Sequence, residues 1–552
     1  MSFMKNPLNF DTTFAMDNNQ TPGNPELPKY DAIIIGAGMG GLVCGNLLAY
    51  KGYKVLIVEK NFVPGGYCTN FTRKGYTFDA AVHFFNGCEP GGMVFEILKK
   101  FDAEDCVEFI KLDEIFHWVN PKYQTDFHAS TSLQENVNRL IDLFPNEAEN
   151  IRKFYKKYTK VAQFMLAWIK TEGLKNKFFL VVRNFLTFIL FLRCFKKTVA
   201  DIMSPYVSSS NTALYEIMTA LCVFFSLVPE KLSALIFLVG TMSLFLEGAY
   251  YPRGGTGNFS RALADIFVKR GGTLMLQTEA TRVLFSDNKV TGIVVKDKRG
   301  QEKMFSTRVL VSNSDVTTLV TGLCPVSAFP TSYVQNIRNR RPATSAVMVY
   351  VGLNLDLKKL NITEYEYWAA SWGGDNSSEH LEYVLNTADY GKLYGGPLSI
   401  TSNIDPTCCP PGKSVFSTIY YAIPEPFKKV LDEGGRRGEE YKALKAKIAE
   451  QFVSQISHAL SIPDLAEHVE VIEVATPLTM KRYTNCQDGS CVGWEVTPDQ
   501  MMARQISQKT PVPNLFLCGQ WAGLGGGISP VMTSGDTASR LASKYLAKKI
   551  KK

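Results

Sequence analysis

The chain has 552 residues, 45% of them hydrophobic and 12% aromatic, with a formal net charge of +8. That length exceeds one average domain, and that apolar content excludes a largely disordered chain. The 12 cysteines stand mostly singly among apolar neighbours (Cys44, Cys106, Cys194, Cys222, Cys518) and the six His are scattered, which excludes a disulfide framework and predicts no metal site.

Residues 1–29 are rich in Asn, Pro and Thr and hold no apolar run, so they read as a flexible leader and not a secretory signal; a cytoplasmic location is the expectation. The first ordered pattern is the strand-like Tyr30-Asp-Ala-Ile-Ile-Ile35. It leads into Gly36-x-Gly38-x-x-Gly41 and a helix from about Met39 to Lys51. Gly36 permits a tight turn, Gly38 lets the backbone approach a pyrophosphate, and Gly41 packs the helix on the strand. The helix N-terminus offers unpaired N–H groups and its positive dipole end to phosphates. A second apolar strand, Lys54-Val-Leu-Ile-Val58, ends in Glu59. A carboxylate there accepts hydrogen bonds from ribose hydroxyls and repels a 2′-phosphate. Strand, turn, helix, strand and acid in register predict a dinucleotide site.

Glu59 leads through Lys60 to a second glycine pair, Gly65-Gly66, which simple nicotinamide dehydrogenases lack. In large flavoproteins such a pair lets the chain pass beside the flavin and its diphosphate, so FAD is the expected cofactor, with Lys60, Gly65 and Gly66 among its contacts. Gly75-Tyr-Thr-Phe-Asp79-Ala-Ala-Val-His83 follows. On these residues the chain resembles the flavoproteins that include phytoene desaturases, carotenoid isomerases and retinol saturases. The Gly-aromatic-x-Phe-Asp run ending in His83 is most similar to the retinol saturase branch.

Residues 175–197, KNKFFLVVRNFLTFILFLRCFKK, are apolar but interrupted at Arg183 and Asn184 and flanked by basic side chains. A spanning helix needs about twenty uninterrupted apolar residues, so none is expected. The composition suits a helix lying in a bilayer interface over 178–195, with Phe188 and Phe191 in the lipid, and a membrane surface is the expected peripheral partner. The Lys-rich tail, 544–552, would assist on an anionic leaflet. A buried core helix is the alternative reading, and core or tunnel lining is expected of 221–228 and 232–246.

Ala249-Tyr-Tyr-Pro-Arg253-Gly254-Gly255-Thr256 resembles a segment of the same family in which a loop enters a helix near the flavin, and it makes Arg253 a candidate for holding flavin or a substrate head group. Residues 273–276 and 290–295 read as strands; between them Val283 matches the family position whose backbone meets adenine. Val309-Leu-Val-Ser-Asn313-Ser-Asp315 resembles the strand returning to the nucleotide domain. A hairpin turn is expected around Asp488-Gly489, between Cys486 and Cys491. Residues 513–530 resemble the closing flavin motif: a strand, Gly519-Gln520 facing the ribityl chain, then Gly525-Gly526-Gly527-Ile528 opening the last helix. Many relatives carry Asp where this chain has Gln520, which can hydrogen-bond a ribityl hydroxyl without bringing charge. Pro530 suits a first helical turn, and Val531, Ala538, Leu541, Ala542, Tyr545 and Leu546 recur at helical spacing.

The expected fold class is α/β. A Rossmann-like, amine-oxidase-like FAD-binding domain is expected from 30–95, 251–320 and 505–552, with an inserted α+β substrate domain from 96–250 and 321–504. One nucleotide fingerprint implies no separate NAD(P)H domain. No Ser-His-Asp grouping or triphosphate loop stands out, and none is needed where a flavin carries the hydride. His83 is the candidate polar group near the ring. The resemblance implies a long apolar substrate, a retinoid or carotenoid, with saturation of a double bond preferred over desaturation or cis/trans isomerisation. A flavin amine oxidase and a non-enzymatic prenyl-lipid binder of the Rab GDP-dissociation-inhibitor kind share parts of the pattern. No nucleic-acid partner is expected; electron partner and oligomeric state stay open.

Overall fold

The computed structural model describes residues 27–208, 211–369, 378–391, 397–501 and 505–548. Most of the expected leader and the last lysines of the tail lie outside the described residues, and Lys29 already opens the first strand.

Two parallel strands start the fold, β1 (Lys29–Ile35) and β2 (Val55–Val58), joined by the helix α1 (Met39–Tyr50). Their Ile, Val and Leu side chains are buried on both faces, the pattern of a sheet covered on two sides. The register pairs Ala32 with Val55 and Ile35 with Val58, so both strands finish level and Gly36 N–H donates to Val58 O at 2.8 Å. That alignment brings the glycine turn beside Glu59. The full sheet has seven strands, in the order Thr273–Met275, β2, β1, Glu302–Ser312, Lys289–Asp297, Thr278–Ser286, with Leu515–Leu517 also paired to Glu302–Ser312. Three distant stretches of chain thus meet in one layer. α1, buried almost all round, packs against the helix Thr256–Lys269 and the last helix, Ile528–Lys548. Ala538, Ala542 and Leu546 are the fully buried stripe of that last helix, with Val531, Leu541 and Tyr545 flanking it.

A second seven-stranded sheet runs Val469–Ala475, Ser345–Leu353, Ser414–Ala422, Pro397–Ser399, Glu366–Ala369, Glu114–Asn120, Thr125–Ser130. The long helix Glu439–Ala459 covers part of it through Tyr441, Ile448, Phe452 and Ile456. The register sets Glu366 directly opposite Ser399 on neighbouring strands.

The stretch 175–197 forms two short helices, Leu174–Arg183 and Phe185–Cys194, separated at Asn184. Leu174 is 90% exposed and Leu186 81%, and Phe178, Phe179, Val182 and Phe185 are also exposed. This is no core helix. Phe188 and Phe191, expected in lipid, instead pack on Phe164 with ring centroids 5.9 and 5.6 Å away. Among the described residues no helix is long and apolar enough to cross a membrane. The expected hairpin at Asp488-Gly489 is a 3-10 turn following the helix Pro477–Thr484, with Asp488 and Gly489 both at positive φ.

Candidate active site

The glycine turn is shaped by close approach. Gly36 sits at φ +94°, and a Cβ on Gly41 would collide with Gly36 O, so the helix can begin this near the strand only without a side chain there. Glu59 lies buried beside the turn, accepting Ala37 N–H at 2.8 Å and Asn61 N–H at 2.9 Å. Burial pushes its carboxyl up; the Asn61 and Ala37 hydrogen bonds and Lys60 oppose that shift. Each carboxylate oxygen keeps a second lone pair for a ribose hydroxyl. Lys60 Nζ donates to Arg482 O at 2.8 Å, and Gly65 and Gly66, both at positive φ, run alongside with Gly65 N–H on Ala37 O.

The side chain of Asn313 is wedged between this turn and Gly519. A Cβ on Gly38 would stand 2.6 Å from its Nδ2, one on Gly519 would strike its Oδ1, and one on Gly40 would lie 2.8 Å from the same oxygen. The two motifs, hundreds of residues apart in sequence, are therefore facing walls of one cleft. Gln520 lines it with Nε2 on Cys486 Sγ at 3.4 Å, and Gly526, Gly527 and Ile528 bring the start of the last helix to the same wall. Burial pushes the Cys486 and Cys491 thiols up to about 12, so they line the wall as neutral groups. This bare, glycine-walled cleft, with a buried acid at one end and a helix N-terminus at the other, fits a flavin dinucleotide.

The cleft is one end of a cavity of about 490 Å³. Beyond Gly66 and Gln520 the lining turns apolar: Ala81, Phe84, Leu221, Phe224, Ile236 and Leu244, among others. The 3-10 segment Ala220–Phe225 and the helix Ala234–Glu247 supply most of that wall, as expected for the stretches 221–228 and 232–246. His83 belongs to the wall. Its Nδ1 lies 2.9 Å from Glu366 Oε1 and in contact with the Ser399 hydroxyl, its backbone oxygen accepts from Tyr365 OH, and its Nε2 is buried without a hydrogen-bond partner among the described residues. Ser399 Oγ and Trp368 Nε1 donate to the two Glu366 oxygens at 2.6 and 2.9 Å.

Two expected site residues lie elsewhere. Arg253 is exposed and holds Glu108 with one edge of its guanidinium, Nε and Nη2 donating at 2.6 and 2.8 Å, away from the cavity. Its loop does lead into a helix as expected. The polar demand of that loop is met by half-buried Asp79, which accepts from Thr256 N–H, Thr256 Oγ1 and Tyr251 OH, and by Asp405, which accepts from Gly254 N–H. Val283 is a core side chain opposite Ile293, and the part of its strand reaching the cavity is residues 278–280, because Thr278 N–H is tied to Glu59 O. The His residues are less scattered than their spacing implies. His117 and His128 face each other across a strand pair with stacked rings 3.8 Å apart, and with Glu364 they place ligand atoms within 4.8 Å of one another. Burial opposes a charge on His117, but the Glu364 and Asp126 hydrogen bonds outweigh it and raise its proton affinity.

One nucleotide turn, a glycine cleft closed by the last helix and an adjoining second sheet define a flavin-dependent oxidoreductase. The chain belongs to the flavin-containing amine oxidoreductase family, whose model matches residues 39–542. It is similar to chloroplastic prolycopene isomerase 2 of an Oncidium hybrid cultivar, at 27% identity over 486 residues, 84% of this chain and 75% of that one. It is also similar to all-trans-retinol 13,14-reductase of Danio rerio, at 23% identity over 531 residues, 92% and 85% of the two chains. Cyclohexylamine oxidase from Brevibacterium oxydans shares the fold, with a TM-score of 0.58 at 14% identity, covering 95% of this chain and 100% of that one. FAD is the cofactor.

Proposed function

We propose that the protein adds hydrogen across a carbon–carbon double bond of an apolar polyene lipid, a retinoid or a carotenoid. The observation that carries this reading is the continuity of the cavity, which passes from the glycine cleft directly into an apolar chamber with His83 on its wall. When bound, the flavin supplies the electron pair. The chain's own part is to hold a long apolar substrate against Leu221, Phe224 and Ile236, exclude water and manage a proton. Likeness to a retinol reductase supports saturation; likeness to a prolycopene isomerase makes cis/trans isomerisation the second reading. An amine is poorly served by a chamber with these walls. Organic extraction of the purified yellow protein followed by mass spectrometry is expected to return a polyene. Peroxide release on adding amines, with no polyene recovered, would overturn the reading.

The same proposal takes the exposed face of the two short helices as the contact with a bilayer, through which such a substrate arrives. Leu174, Phe178, Phe185 and Leu186 form its apolar part, with Lys175 and Arg183 beside them. The helix Ala148–Lys170, on which the second short helix packs, brings Leu166 and Ile169 to the cavity wall. A fully buried large apolar side chain contributes about 1.5–3 kcal/mol, so a few inserted residues suffice for peripheral binding. Replacing Phe178, Phe185 and Leu186 together with Asp is expected to release the protein from phosphatidylserine-containing vesicles with its flavin retained. Wild-type protein that never sediments with vesicles removes the membrane from the proposal.

A further inference from the structure

We infer that Glu366, backed by Ser399 and Trp368, is a positioning residue: it keeps a proton on Nδ1 of His83 and so makes Nε2 the atom through which that histidine exchanges a proton with the substrate. This rests on the polyene reading and deepens it.

The argument starts from donor and acceptor types. An indole N–H can only donate, and Trp368 Nε1 donates to Glu366 Oε2 at 2.9 Å. The Ser399 hydroxyl donates to Oε1 at 2.6 Å. With both carboxylate oxygens already accepting, the hydrogen shared across the 2.9 Å Glu366–His83 contact belongs to Nδ1. The neutral ring then carries its lone pair on Nε2. A carboxylate fixing the tautomer of an imidazole in this way orients the opposite nitrogen for proton transfer.

The arrangement is held rigidly. The side chains of His83 and Glu366 are 6% and 1% exposed. Glu366 and Ser399 are register partners on adjacent strands, Phe224 meets the imidazole edge-on at 5.3 Å, and Tyr365 OH holds the His83 backbone oxygen. Yet Nε2, on a residue of the cavity wall, has no hydrogen-bond partner among the described residues. Most buried polar atoms are hydrogen-bonded, and an unpartnered nitrogen on a cavity-wall residue is available to a molecule bound there.

The balance of the step is simple. A double bond that becomes a single bond gains two hydrogens: one with an electron pair, which a bound reduced flavin would supply, the other as a proton on the neighbouring carbon. That proton comes from the ring in its doubly protonated form: it leaves Nε2, the bonding pair stays there, and the ring returns to the neutral state with hydrogen on Nδ1. Nδ1 keeps its own hydrogen towards Glu366, and solvent restores the proton on Nε2. Isomerisation would use the same nitrogen to add a proton and take one back.

Histidine-selective ¹⁵N labelling of the FAD-loaded protein reads the tautomer, with the His83 signals identified as those lost in His83→Gln. The wild type is expected to show hydrogen on Nδ1. Glu366→Gln presents an amide that donates as well as accepts, so the Nδ1 preference is expected to fail and Nε2–H to appear. The same variant is expected to slow hydrogen transfer to a retinoid about tenfold or more, with unchanged flavin content; this is less than the roughly hundredfold of a lost proton donor because His83 is still present. In a His83→Gln background it should add less than about twofold, since the two residues act as a unit. Ser399→Ala is expected to act in the same direction but less, and serves if Glu366→Gln does not fold. A wild-type ring bare at Nδ1, or a Glu366→Gln loss undiminished when His83 is already gone, overturns the assignment. Absence of any polyene turnover by a wild type with the expected tautomer fails the functional reading instead.

Discussion

Gly38→Val is expected to give a folded protein without colour. Gly38 has φ −68° and ψ 172°, a conformation valine adopts freely, and its carbonyl still accepts Leu42 N–H to start α1. The new Cβ would stand 2.6 Å from Asn313 Nδ2, so the wedged amide, rather than the backbone, has to give way. The backbone therefore tolerates the change, while the isopropyl group fills the face from which a pyrophosphate must approach. Bound flavin, read by its visible absorbance, should be lost from the folded chain, because the backbone can no longer approach the pyrophosphate. Circular dichroism should stay near that of the wild type. Normal flavin content in folded Gly38→Val would remove this turn from the cofactor site.

His83→Ala is expected to lower the rate of hydrogen transfer to the polyene by about a hundredfold or more, the usual contribution of a positioned proton donor. The substitution leaves Glu366 accepting from Ser399 and Trp368, so the wall stays connected and the flavin, held by the glycine cleft, stays bound. Stopped-flow traces of reduced enzyme mixed with substrate give the rate, and the flavin spectrum gives the loading. A loss smaller than about threefold would make His83 a structural residue, because a general acid contributes far more.

The nucleotide half of the fold was legible because its signals are local. An apolar strand, three glycines at fixed spacing, an amphipathic or buried helix and a terminal acid all fall within one short stretch, and the structure places Gly36, Gly38, Gly41 and Glu59 together. The closing motif was legible for the same reason, since a glycine run before Pro530 is a local device for opening a helix. What escaped was whatever depends on pairing between distant strands. Glu366 and Ser399 lie 283 and 316 residues from His83 in sequence, and nothing around either distinguishes it from an ordinary strand residue. Asn313 stood inside a recognised strand segment, but its wedge between two glycine turns is a matter of side-chain direction. Arg253 was drawn to the site by its glycine neighbours, whereas its side chain runs outward to Glu108. Val283 was offset by three residues from the part of its strand that reaches the cavity. The stretch 175–197 was read as one helix with Phe188 and Phe191 outward, but with a break at Asn184 those rings pack on Phe164 and Phe178, Phe185 and Leu186 stand outside.

The central claim is that electrons pass directly between one flavin and a polyene. Chemically reduced holoenzyme mixed anaerobically with a retinoid or carotenoid tests it, with the flavin spectrum and the product followed together. The account predicts that oxidised-flavin absorbance returns in step with a product two hydrogens richer than the substrate. Isomerised product with no net reoxidation would contradict saturation and establish the isomerase reading in its place.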